Sequence, residues 1–108
     1  MVIETKLEYG DKIYFIYGNP KKSYAVYSAT IHHVTIFETG VILYYFVDAK
    51  VEVDKDNITS DKCKLYGYFY EKDLDSGNSL RNELGLSALP VFSSKKLCKE
   101  YLKRQKNG

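Results

Sequence analysis

The most regular pattern in the chain spans residues 41–54. Val41, Leu43, Tyr45, Val47, Ala49, Val51 and Val53 stand two apart, which on a strand places them on one face. The alternate positions open with Ile42, Tyr44 and Phe46 and continue with Asp48, Lys50, Glu52 and Asp54. This period predicts a strand buried on both sides in its first half and wet on one side in its second. A second long strand is predicted over residues 24–37. Its apolar positions are odd at Ala25, Tyr27, Ala29 and Ile31, then even at Val34 and Ile36. The slip falls at His32-His33 and predicts a β-bulge or sharp bend. Glu38-Thr39-Gly40 joins the two strands as a short hairpin loop, with Gly40 at a positive-φ position.

Shorter elements surround this hairpin. Residues 11–17 form a β-favouring run that Gly18-Asn19-Pro20 terminates. Residues 65–70 predict a strand with Leu65, Gly67 and Phe69 on one face and Tyr66, Tyr68 and Tyr70 on the other. Residues 54–64 and 73–77 read as a polar loop and a turn. Residues 80–84 suit a helical turn capped by Asn78 or Ser79 and ended by Gly85. Residues 89–92 suit a short closing strand. The last element is a helix over residues 94–105, with Ser93 as N-cap and Phe92 and Leu97 as a hydrophobic staple. Leu97, Cys98, Tyr101 and Leu102 make an apolar stripe at helical spacing. Lys95, Lys99, Lys103 and Lys106 run down the opposite side.

Composition adds two facts. Tyrosine is abundant, 11 of 108 residues. The net charge of +2 divides into a body over residues 1–92 near −3 and a C-terminal segment near +5, where Glu100 is the one acid. The chain is long enough for one domain with its own core. The expected division is a β body over residues 1–92 and a basic helix over 93–106. No apolar run approaches the length of a membrane span, and the first ten residues hold no signal-peptide core, so a cytoplasmic location without membrane contact is expected. Cys63 and Cys98 fit no metal spacing and are expected to be reduced, structural thiols.

Candidate chemistry is sparse. Neighbouring strand residues face opposite ways, so His32 and His33 cannot ligate one metal regularly; a bulge with exposed imidazoles is the expectation. Asp54-Lys55-Asp56 and Asp73-Leu74-Asp75 open like calcium loops but lack the later oxygen ligands. No nucleophile motif or glycine-rich phosphate loop is present. Neither an enzyme nor a cofactor is expected. Two surfaces remain. Tyr66, Tyr68 and Tyr70, extended by Tyr14 or Tyr44, could bury a peptide or stack bases, or simply pair across strands for about 0.2–1 kcal/mol each. Lys95, Lys99, Lys103 and Arg104 could contact phosphates or an acidic protein, or form a solvated face.

The order of signals carries a resemblance. Gly10-Asp11-Lys12-Ile13-Tyr14-Phe15 opens a strand, a long bent hairpin follows, and Val91-Phe92-Ser93-Ser94-Lys95-Lys96 leads into a helix. This resembles the small SH3-like barrel proteins of bacteriophages and mobile elements of low-GC Gram-positive bacteria, over about residues 10–104. The resemblance implies a non-enzymatic binder, with inhibition of a host defence enzyme such as a CRISPR nuclease as one version. The expected fold is mainly β (α+β), a strongly bent antiparallel sheet or SH3-like barrel with a C-terminal helix. The expected function is recognition of a protein partner in the host cytoplasm; direct nucleic-acid binding through tyrosines and lysines is the alternative.

Overall fold

A computed structural model describes residues 4–18, 21–55, 65–75, 79–82 and 89–107, with backbone alone at residues 65, 66, 79–82, 89, 106 and 107. The molecule is mainly β, an antiparallel sheet with one C-terminal helix. The elements are β1 (Lys12–Gly18), β2 (Tyr24–Ile36), β3 (Ile42–Asp54), β4 (Leu65–Tyr70), β5 (Ser79–Asn82), β6 (Leu89–Phe92) and α1 (Lys95–Asn107). Neighbours in sequence pair as neighbours in space from β1 to β5. β6 returns to the outer side of β1, with Tyr14 opposite Phe92 and Phe15 opposite Val91. Its contact with β5 is two residue pairs, Ser79 with Pro90 and Leu80 with Leu89.

The β2–β3 hairpin dominates the sheet and changes phase several times. The register slips between Ile31 and His33, where the sequence predicts a bulge, and both imidazoles emerge exposed. It slips again between Phe46 and Ala49 on the β4 side, where Asp48 adopts φ 53°. Aspartate tolerates this left-handed conformation better than a branched residue does. The extra residue resets the alternation. Ile42, Tyr44, Phe46 and then Ala49 point inward and are buried, whereas Tyr45, Val51 and Val53 are exposed. The uninterrupted face expected over the odd positions from Val41 to Val53 therefore does not exist. Gly40 has φ 87°, and the hairpin tip is closed by Phe37 N–H donating to the Val41 carbonyl and Gly40 N–H to that of Phe37.

Two apolar cores lie on opposite sides of the sheet. The inner one collects Ile13, Phe15, Tyr27, Ile31, Tyr44, Phe46, Phe69 and Val91 with smaller side chains. Phe15 stacks on Tyr27, with centroids 5.1 Å apart and planes at 7°. Such pairs contribute about 0.5–1.5 kcal/mol beyond their buried area. The outer core is made by α1, whose Cys98 and Leu102 pack on Ile16, Tyr24, Val26 and Phe92. This cover explains why β1 and the first half of β2 are apolar on both faces.

The helix start differs from expectation. Ser94, not Ser93, is the cap: its Oγ accepts the Leu97 N–H at 3.2 Å, and its carbonyl accepts the Cys98 N–H at 3.2 Å. The one-residue shift turns Leu97 outward, where it is exposed, and Cys98 takes the position facing Phe92. Ser93 is held by Asp75 instead. Its N–H and Oγ donate to the two carboxylate oxygens at 2.7 and 2.6 Å. Asp75 itself has φ 61° and donates its N–H to the Val91 carbonyl. The helical turn expected near residues 80–84 is strand over Ser79–Asn82. Cross-strand pairing of Arg81 with Tyr68 and Asn82 with Gly67 outweighs the local capping signal there.

Candidate functional site

Alternation along β4 buries Gly67 and Phe69 and turns Tyr68 and Tyr70 outward, half-buried. The Tyr66 side chain lies outside the described residues. Opposite Tyr68 on β3 is Tyr45, and opposite Tyr45 on β2 is His33. The three rings form a row across the outer face. The His33–Tyr45 centroids are 5.7 Å apart and the Tyr45–Tyr68 centroids 6.0 Å, both pairs tilted. The row borders a groove of about 520 Å³ whose walls include His32, Thr35 and Val47. His32 also meets the ring of the exposed Tyr9 at 6.0 Å. The bulge before His33 is what brings two adjacent imidazoles to this surface.

The groove is apolar and aromatic, with hydroxyls and imidazoles as its polar groups. Among the described residues, its lining includes no lysine, arginine, aspartate or glutamate. Among the described residues, no group of three or more His, Cys, Asp and Glu side chains could hold a metal. No helix among them is long and apolar enough to cross a membrane.

Tyr70 lies beside the row but belongs to a second groove of about 600 Å³, shared with Lys6, Val41, Glu71 and Lys72. The Lys72 ammonium sits 5.7 Å from the Tyr70 ring centroid, a cation–π contact. The other two tyrosines considered above are not part of the open face. Tyr14 is half-buried against the outer core beneath α1. Tyr44 is fully buried. Its hydroxyl donates to Glu71 Oε1 at 2.6 Å and accepts the Leu7 N–H at 3.1 Å. The same carboxylate oxygen accepts the Lys6 N–H at 2.7 Å. Burial, reinforced by Glu71, pushes the Tyr44 hydroxyl up to about 12.

The lysines occupy a different place. Lys95, Lys99, Lys103 and Arg104 are all exposed on α1, which packs on β1 and β6. Lys95, Lys96, Lys99 and Lys103, with Glu100, line a shallow groove of about 390 Å³ with no tyrosine among its described lining residues. The tyrosine row and the basic helix are thus two surfaces on separate elements. Sequence reasoning missed Tyr45 and His33 as partners of Tyr68. A signal was available in Tyr45 lying between two inward residues, Tyr44 and Phe46, but the assumed unbroken alternation hid it.

Compared with known protein families, with curated proteins and with solved structures, the chain has no significant match.

Proposed function

We propose that the protein is a non-catalytic binding module that captures a protein partner on the outer face of β2, β3 and β4. The observation that carries this reading is the row His33–Tyr45–Tyr68 beside a groove whose described lining is aromatic and apolar. Protein interfaces are depleted of charge at their centre and enriched in tyrosine, whose ring supplies area and whose hydroxyl tolerates water. Tyr45 is 38% exposed although it stands among core residues. The described lining supplies rings, hydroxyls and imidazoles, side chains suited to a recognition surface.

The pairing of β6 with both β1 and β5 supports reading the sheet as an SH3-like barrel, with the two β5–β6 pairs as its seam. An inhibitor of a host defence or nucleic-acid enzyme is the most concrete version of the binding role, and it rests on the resemblance described above. The test compares capture from host lysate by the wild-type chain and by Tyr45→Ala and Tyr68→Ala variants. A protein retained by the wild type and lost by both variants, at nearly unchanged melting temperature, supports the reading. Identical capture by all three chains would sink it.

A further inference from the structure

We propose that the outer face of α1 is a docking surface for the phosphate backbone of nucleic acid. Lys95, Lys99 and Lys103 follow one another at four-residue spacing, so their stems rise by about 6 Å per step along one side of the helix. Lys96 lies beside them, and Arg104 stands on the flank; all five side chains are exposed. Among the described residues none of these cations makes a salt bridge.

The arrangement is unfavourable for the helix itself. Like charges four residues apart repel, and Lys95–Lys99 and Lys99–Lys103 are two such pairs. Lys95 and Lys96 occupy the first turn, at the positive end of the helix dipole, and that turn has no acidic residue. Glu100 alone does not neutralise four lysines. Docking of α1 on the sheet does not need these charges, because Cys98, Tyr101 and Leu102 supply its packing face. A polyanion laid along the stripe would remove both costs.

The chemistry favours phosphate over an acidic protein. Lysine is depleted in protein interfaces, whose energy concentrates in aromatic and arginine anchors. The stripe offers point charges without an aromatic anchor. Phosphate contacts, in contrast, are made by lysine and arginine without regard to base identity. The body over residues 1–92 carries a net charge near −3, so contact is confined to the helix. At most about four phosphates are neutralised, and the footprint is short. The tyrosine row is not part of this surface.

The test is fluorescence anisotropy of the full chain with labelled 20-base-pair DNA duplexes of two unrelated sequences. Both should bind equally at about 50 mM salt, with log K falling against log salt at a slope of about −3 to −4. Affinity should drop about 150-fold between about 50 and 200 mM salt. Lys99→Gln with Lys103→Gln should reduce the slope by about 2 while the melting temperature holds or rises. Tyr68→Ala should leave duplex affinity unchanged. Absence of binding at low salt, or a slope unaltered in the double variant, would overturn the proposal. So would competition by polyglutamate as effective as that by duplex at equal charge, which would reassign the face to an acidic protein.

Discussion

The hydroxyl of Tyr44 and the carboxylate of Glu71 meet at 2.6 Å, joining the start of β3 to the 3-10 turn that follows β4. The same carboxylate oxygen takes the Lys6 N–H, and the phenol oxygen takes the Leu7 N–H. The N-terminal segment is therefore fastened across the end of the inner core by one tyrosine and one glutamate. Removing the hydroxyl leaves a buried N–H and a carboxylate short of a partner. Tyr44→Phe should cost about 1–3 kcal/mol, read as a lower urea midpoint near neutral pH.

The same phenol gives a pH dependence whose sign is fixed. Unfolded, Tyr44 ionises near its ordinary value of about 10; folded, it holds its proton to about 12. Stability from this group is complete below pH of about 10 and is lost as pH rises through about 12, because the unfolded chain releases a proton that the folded chain keeps. The wild type should lose more stability between about pH 9 and pH 11 than Tyr44→Phe does. Equal losses in paired denaturation curves would place the phenol in water.

Three consecutive residues of β3 should respond in three ways. Phe46 is buried within the inner core and meets the rings of Phe15 and Phe69, so Phe46→Ala should cost about 3–5 kcal/mol. Tyr45→Ala should cost about 1 kcal/mol or less, since it loses two tilted ring contacts on an open face. With Tyr44→Phe between them, a thermal melt of the three variants checks the inward–outward–inward order. A collapse of Tyr45→Ala would assign that ring to the core.

Asp75 combines two roles that substitution can separate. Its carboxylate holds Ser93 at the helix entry, and its backbone is left-handed. Asp75→Gly keeps the backbone comfortable and loses the carboxylate, for an expected cost of about 1–2 kcal/mol. Asp75→Ala should cost about 1 kcal/mol more, from its Cβ at positive φ. Equal melting temperatures for the two variants would mean that the backbone at this position is not strained.

The left-handed Asp48 offers a test against strand propensity. Valine favours strands, yet Asp48→Val should lower stability by about 1–2 kcal/mol, because a branched side chain is poorly accommodated at φ 53°. A gain in stability would mean that β3 runs straight through this point.

Much of the fold is legible in side-chain alternation. The His32-His33 slip is visible because apolar residues change parity across it. The Asp48 slip is hidden because Val51 and Val53 keep the earlier parity while being exposed; apolar identity does not report burial on a strand that extends beyond its cover. β5 is read wrongly because Asn78 and Ser79 carry a local capping signal, whereas its pairing with β4 is non-local. The helix cap slips by one because Ser93 and Ser94 are chemically equivalent in sequence, and only the distant Asp75 distinguishes them. For the candidate surface, Tyr68 and Tyr70 are legible from β4 alone. The row with Tyr45 and His33 needs the register of three strands.

Helix α1 is the roof of the outer core, and Ile16, Tyr24, Val26 and Phe92 lie beneath it. A chain ending before this helix would keep every strand yet bare a sticky patch of four large side chains. Such a fragment should clump at concentrations where the intact protein stays dispersed, so shortened versions prepared for binding work should retain the final segment.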